Sequence, residues 1–409
     1  MADARVLGRL DGWPLRTLVA ACLIAGGLVV GSTPVPAAQV ASLVASPSPL
    51  SRPSALNDVD CVTPTDCFAV GWYTPEQTSE PSALVEHWDG TSWKVVDSPS
   101  PAGERTSRLA GVKCVSSNHC VAVGSSSPPL DNENTAPVRT LAEQWDGTSW
   151  KIVTTPRIAS PPSLSYWYLL GVDCTSTTNC WAVGYAGVGG SFALVEHWNG
   201  ISWNVVVNPG RTGDSWAEKL LNVSCTAVTN CVAVGDFYAQ SRSGEVHRTT
   251  LVERWNGLAW KTVPSPNPDP FTSILEGVTC TATSNCLATG YSYDRRHSRS
   301  LTLVERWNGT KWTIVPSPTP AATLRSGLAG VACTTSRDCL AVGSDQSLAS
   351  RNTVLEHWNG TKWSVVANPI PASFPSVFLQ GVACKDTVCF AVGQRVERGH
   401  YSTLVERYS

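Results

Sequence analysis

Leu169-Leu170-Gly171-Val172-Asp173-Cys174, then Cys180-Trp181-Ala182-Val183-Gly184, then Leu194-Val195-Glu196-His197-Trp198-Asn199-Gly200-Ile201-Ser202-Trp203, is one instance of a unit the chain spells seven times. The first cysteines of the units are Cys61, Cys114, Cys174, Cys225, Cys280, Cys333 and Cys384. Their glutamates are Glu86, Glu143, Glu196, Glu253, Glu305, Glu356 and Glu406. Each unit offers four β-like runs (A to D) separated by turn residues, the pattern of a propeller blade. The expectation is an all-β, seven-bladed propeller of four-stranded antiparallel blades.

The ends sharpen that expectation. The last unit stops at Leu404-Val405-Glu406-Arg407-Tyr408-Ser409, with strand C complete and strand D missing. Near the start, Ala41-Ser42-Leu43-Val44-Ala45-Ser46-Pro47-Ser48-Pro49 matches Trp93-Lys94-Val95-Val96-Asp97-Ser98-Pro99-Ser100-Pro101 and supplies an orphan strand D. Pairing the two would close a ring and remove an exposed sheet edge.

Ahead of that strand, Arg5, Arg9 and Arg16 precede an apolar run from Leu18 to Val30, followed by small residues up to Ala37-Ala38. This reads as a secretory signal over residues 1–37, leaving one propeller domain over 38–409. The run is short for a membrane span, which needs about 20 residues. Val19-Ala20-Ala21-Cys22 has the look of a lipoprotein box, but most of the apolar run follows the cysteine instead of preceding it. A secreted chain with no membrane span after cleavage is expected.

Removing the signal takes Cys22 with it. Cys61/Cys67, Cys114/Cys120, Cys174/Cys180, Cys225/Cys231, Cys280/Cys286, Cys333/Cys339 and Cys384/Cys389 remain, two per unit. An even set in an exported chain reads as disulfides. Zinc would need C-x2-C spacing or neighbouring histidines, and neither recurs. In the A–B hairpin Cys114 should oppose Cys120 and Val112 should oppose Ala122, each bond pinning register locally. For the C–D hairpin, Asn/Asp-Gly suggests a two-residue type I′ turn with Glu86 across from Trp93. A four-residue loop with Trp88 across from Trp93 is the alternative.

A formal net charge of −2 with 15% charged residues gives no electrostatic case for nucleic acid or an anionic membrane. The A–B and C–D turns repeat closely, whereas the B–C and D–A connections vary, so the latter face is the candidate for binding. Its distinctive residues include Trp72, Tyr73, Tyr166, Trp167, Tyr168, Tyr185, Trp216, Phe237, Tyr238, Tyr291 and Tyr293. Arg108, Glu218 and Lys219 fall just before strand A, at the expected channel mouth. Flat rings with a few polar groups suit a carbohydrate or a protein partner.

A glutamate present in every unit cannot be a unique catalytic residue. It reads as structural, accepting from an indole or backbone N–H near the C–D turn. Residues such as Trp88 and Trp93 read as packing between blades. His87, His197 and His357 share their position with Arg254, Arg306, Arg407 and Gln144, which suggests an exposed, tolerant site. His119, His247, His297 and His400 look isolated, with no acid partner. No catalytic set, metal or cofactor is expected. Glycan-acting hydrolase or lyase chemistry would need acids converging on the variable face, with Asp214, Glu218, Asp236 and Asp294 the first to consider. A structural scaffold is the third reading, and a monomer is expected.

The unit Cys-x-Ala-Val-Gly…Leu-Val-Glu-x-Trp-Asn-Gly-Thr-x-Trp resembles uncharacterised exported repeat proteins of actinobacterial type, over about 370 residues. That resemblance implies a propeller and no particular activity. Trp181-Ala182-Val183-Gly184 with Trp198-Asn199-Gly200-Ile201-Ser202-Trp203 is also loosely similar to the Asp-box repeats of sialidases and photosystem assembly-factor propellers. The Asp-box spacing is not met. The Trp-Asp-Gly-x-x-Trp turn resembles that of bacterial seven-bladed lectins, which lack the cysteine hairpin.

Overall fold

Alternation of apolar and polar residues makes every unit an antiparallel meander, and a computed structural model gives its register. It describes residues 40–409 apart from 48–52, 131–135, 157–165, 188–189, 210–214, 241–243, 270, 321–322, 348–349, 368, 371–375 and 398. The proposed signal segment lies outside the described residues. Gln39–Ser409 form one compact unit. All described regular structure is β, with no helix long and apolar enough to cross a membrane among the described residues.

The first four repeats each form a separate four-stranded antiparallel sheet in chain order. In the second these are Thr106–Ser116, His119–Ser127, Arg139–Trp145 and Trp150–Val153, strands A to D. The strands from Ser273 onward join with Ala41–Val44 in one twelve-stranded sheet. Two of its junctions are single parallel contacts, Ser300 with Arg325 and Arg351 with Ser376. Isolated bridges of the same kind join Val138 to Tyr166, Ser191 to Ala217 and Arg248 to Thr272 in the other sheets. Ala41–Val44 pairs antiparallel with His400–Tyr408, Ala41 opposite Tyr408 and Val44 opposite Val405.

The A–B register follows the cysteines. Cys114 faces Cys120 and Val112 faces Ala122. All seven disulfides form within their own hairpins, with Cα–Cα distances of 4.0 to 4.1 Å. Such close pairs suit a non-hydrogen-bonded position.

The bonds are the local staples expected, and the second cysteine of each pair also belongs to the hydrophobic core. Cys67, Cys120, Cys180, Cys231 and Cys286 are completely buried, and Cys339 and Cys389 nearly so. The reason is register: strand C places the repeat tryptophan beside that cysteine, Trp88 at Cys67, Trp255 at Cys231 and Trp307 at Cys286. Cys67 accordingly packs in one cluster with Trp88, Trp93 and Phe390 of the last repeat, Cys231 with Trp181 and Trp260, and Cys286 with Trp307 and Trp312. These sulfurs fill space between repeats as well as fixing a hairpin, and burial leaves them chemically inert.

The sequence reading missed a bulge after the repeat leucine: Leu109 faces Gly124, yet Gly111 faces Val123. The Gly of Ala-Val-Gly is explained here, because a Cβ at Gly124 would stand 1.9 Å from the Arg108 carbonyl oxygen. Gly111 in turn lies against the Leu170 carbonyl of the next strand A, and Gly381 of the last repeat lies against Asn57 and Asp58 of the first.

The two-residue C–D turn is overturned. Trp88 faces Trp93 and Glu86 faces Val95 across a four-residue loop. Asp89 explains the longer loop: its Oδ1 accepts from the Thr91 and Ser92 amides at 2.9 Å, while Gly90 takes φ 91°. The side chain satisfies two backbone donors that a tight turn would spend on the ladder.

That register carries the glutamates away from the turn. All seven are buried, at 0–1% exposure, between repeats. Each reaches a small polar group of another segment, not an indole. Ser98 donates to Glu143 at 2.9 Å, Ser265 to Glu305 at 2.5 Å and Ser317 to Glu356 at 2.7 Å, each serine following strand D of the preceding repeat. Ser46, after Ala41–Val44, donates to Glu86 at 2.8 Å and continues the series across the chain ends. Thr353 donates to Glu406 at 3.1 Å. Glu196 and Glu253 approach Thr140 and Asn208 without a bond of ordinary geometry. Burial raises all seven carboxyls, to about 7 for Glu86, Glu143, Glu356 and Glu406 and about 8 for Glu196, Glu253 and Glu305. Desolvation outweighs the single hydroxyl donor.

The tryptophans join neighbours. Trp93 packs edge-on against Phe390 of the last repeat at 5.4 Å, as Trp150 does against Phe68 and Trp260 against Trp181. The residue after each glutamate is not an open, tolerant site. His87 bonds Asp66 at 2.7 Å and stacks on Phe68, and His357 bonds Asp338 at 2.7 Å. Arg254 bonds Asn230, and His197 bonds Asn179. His297 is also not isolated, since it pairs with Asp294 at 2.6 Å.

Candidate ligand-binding face

Beyond the Gly of Ala-Val-Gly, strand B presents Trp72, Tyr185, Asp236 and Tyr291 opposite the strand A residues Ala55, Tyr168, Lys219 and Ile274. All lie at the loop end of their sheets. Here a side chain of one repeat meets the next. Arg108 lies over Trp72, 4.5 Å from the ring centre, and Lys219 lies 4.5 Å over Tyr185. Tyr168 stacks on Tyr185 at 5.0 Å, with Tyr166 at 6.0 Å from Tyr185. Desolvation lifts Tyr185 to about 12 and raises Tyr168, so both phenols stay protonated donors.

A second group spans the fourth and fifth repeats. Arg248 grips the fully buried Asp236 with Nε at 2.7 Å and Nη2 at 2.9 Å, a bidentate pair. Its guanidinium lies 5.2 Å over Tyr238 and within electrostatic range of Tyr291. Glu276 is the bulge residue of its strand A, its carboxyl raised to about 7 by burial, with Arg248 opposing and Asp236 adding to the rise.

Next to it, Tyr291, Tyr293, Arg325, Gln346 and Arg351 line a cavity of about 330 Å³ with Glu276 and three serines. Arg351 lies 4.3 Å over Phe378 and donates to Gln346 Oε1 at 3.1 Å. A cavity of about 430 Å³ elsewhere runs along Arg139, Thr140, Ile152 and Trp167. Its charged groups, Arg139 and Glu104, pair through Glu104 Oε1, while Glu104 Oε2 is buried without a partner.

The remaining candidates scatter. Trp167 is half-buried in that second cavity, edge-on to Phe192 at 5.6 Å, and is not a free platform. Tyr73 packs against the core of the first repeat. Tyr166 donates to the Gly190 carbonyl at 2.6 Å. Glu218 is buried, at 6% exposure. Trp216 lies in the strand Ser215–Ala227, and its side chain is outside the described residues. Of the acids marked for hydrolysis, Asp236 is clamped by Arg248, Asp294 holds His297, and Asp214 is outside the described residues.

Sequence reading missed Arg248, Glu276, Arg325 and Arg351. Glu276 and Arg325 stand where every other repeat carries a different residue, and the strand A bulge sets their facing, whereas Arg248 and Arg351 share one position of strand C. It also missed a charged group lower on the strands A. Lys113 lies between Asp60 at 3.5 Å and Asp173 at 3.6 Å, and Asp58 accepts from the Val112 amide at 3.0 Å. Asp58 keeps some accessible area but is enclosed by protein, and this desolvation raises it to about 7.

No family model matches the chain, and no curated protein does. Among solved structures it is similar to YCF48 bound to D1 peptide, at 13% identity and a TM-score of 0.50, covering 90% of this chain and 94% of that one. A Trypanosoma rangeli sialidase is 12% identical with a TM-score of 0.46, covering 90% and 55%. The SapL1 lectin in complex with alpha methyl fucoside is 12% identical with a TM-score of 0.42, covering 82% and 97%. The chain thus spans about half the length of the sialidase. At such identities the likeness to YCF48 shows the fold alone, a β-propeller.

Proposed function

We propose that the chain is an exported binding module, a closed ring of seven blades, that takes a carbohydrate or a protein partner on its variable-loop face. The twelve-stranded sheet reads as three blades joined by one-residue contacts, and Ala41–Val44 completes the last. Seven disulfides favour an oxidising compartment, in keeping with a signal over residues 1–37. The observation that carries the function is the two aromatic–cation pairs on the loop face, Trp72 with Arg108 and Tyr185 with Lys219. Such pairs hold flat rings and charged donors in fixed positions at low entropic cost.

Glycan and peptide arrays probed with the secreted chain test this. A ligand is expected whose binding falls at least about tenfold in Trp72→Ala and Tyr185→Ala, and is unchanged in Leu258→Ser on the turn face. Binding lost only with turn-face changes would sink the reading.

The Asp236, Glu276, Tyr291 and Arg248 group favours one second reading, a glycan-acting enzyme with Glu276 as acid. Hydrolysis of an acidic glycan that disappears in Glu276→Gln would establish it. Turnover equal in that variant would remove it.

A further inference from the structure

We infer that the cavity between the fifth and sixth repeats binds a carboxylate-bearing sugar, a uronate residue of an acidic glycan, through Arg325 and Arg351. This rests on the loop-face reading and names the ligand class for one part of that face. Arg325 opposes Gln346, and Gln346 opposes Arg351, on three adjacent strands. Directly opposed residues project from one face of a sheet, so two guanidiniums flank one amide, with the outer strands about 10 Å apart.

Neither arginine has a carboxylate partner among the described residues, and both line the same cavity. Arg351 is already oriented by the Phe378 ring and the Gln346 amide. Guanidinium forks match a carboxylate bidentately.

The rest of the lining fits a sugar ring. Tyr291 and Tyr293 supply flat walls, and Gly327 offers no side chain where a Cβ would already stand 3.4 Å from Tyr291. The cavity of about 330 Å³ sits at the small end of ligand sites, the size for one ring with its neighbours outside. Recognition here is by side chains, which favours a sugar over an extended peptide, whose binding draws on rows of backbone amides.

Calorimetry on the secreted chain with a galacturonate trisaccharide tests the assignment, with a neutral galactose trisaccharide, inorganic phosphate and a peptide with a free C-terminal carboxylate as comparators. The uronate is expected to bind and the neutral sugar to bind at least about tenfold more weakly. Arg325→Ala and Arg351→Ala should each cost at least about tenfold, with melting close to that of the parent. Arg351→Lys should recover part of the loss, and Lys362→Ala on the turn face should change nothing. Uronate binding indifferent to both arginines overturns the proposal. So does phosphate or the peptide binding as tightly with the same arginine dependence. An array ligand lost in Trp72→Ala and Tyr185→Ala but kept in both arginine variants overturns this site alone and leaves the broader reading standing.

Discussion

On the turn face, Asp89, Asp146, Asn199, Asn256, Asn308 and Asn359 close the same four-residue loop with the same backbone bonds. On the loop face the strand B positions beyond the repeat glycine read Trp72, Ser125, Tyr185, Asp236, Tyr291, Ser344 and Gln394. The contrast separates two selection rules in one chain. Every turn does the same mechanical work, so one solution recurs. Each mouth residue meets a different neighbour, Arg108 on Trp72 but Gly327 beside Tyr291, so no two repeats need agree.

The largest effect should come from removing Ala41–Val44, the strand proposed to close the ring. Deleting residues 40–46 removes the partner of His400–Tyr408 and the Ser46 donor to Glu86. It exposes a long strand edge next to a buried carboxylate. A fall in melting temperature of tens of degrees or outright aggregation is expected in a thermal scan, and unchanged melting would refute closure by this strand.

That strand was legible in the sequence because Ala41–Pro49 copies the Trp93–Pro101 pattern. Cysteine pairing was legible for the same reason, since seven copies average out local exceptions. The burial of Cys67, Cys231 and Cys286 was not, because it depends on which strand C residue lies beside them, and that follows from the turn. Turn length itself was hidden, because Asn-Gly serves a two-residue and a four-residue loop alike, and only the Asp89 side-chain bonds decide. The histidine position was misjudged by looking at one strand. Read with the residue before the second cysteine, it pairs as His87 with Asp66, Arg254 with Asn230 and His357 with Asp338. The mouth was least legible: the bulge places Glu276 there, and bulges leave little trace beyond a glycine two residues from the leucine.

A smaller, distributed effect should appear with pH. The seven repeat glutamates have folded values near 7 or 8 against an ordinary value of 4.5. Between those limits the folded chain holds protons that the unfolded chain has released, so stability is present below about pH 4.5 and declines as pH rises toward 8. Asp58, Asp173, Glu276 and Asp345 act in the same direction. His119 and His197, lowered by burial, oppose it but are two groups against eleven. Asp89 and Asp146 titrate below this window. Melting should be higher at pH 5 than at pH 8, and Glu196→Gln should flatten the slope. A chain equally stable at both would show that the carboxylates are ionised and better solvated than their burial implies.

The smallest effects separate the faces one tryptophan at a time. Trp93 is 4% exposed and wedged between Trp88 and Phe390, so Trp93→Ala leaves a void at the junction of the first and last repeats. A loss of about 3 to 5 kcal/mol is expected, the usual cost of truncating a buried aromatic. Trp167 makes one ring contact, with Phe192, and borders an open cavity. It keeps part of its surface open and packs only at the margin of the third repeat's core, so Trp167→Ala should cost about 1 to 2 kcal/mol. Denaturant titration of both variants measures the pair. Equal losses would mean that Trp167 is as much a structural wedge as Trp93. The division between a mechanical face and a variable one would then hold around Trp72 and Tyr185 but not at the cavity beside Trp167.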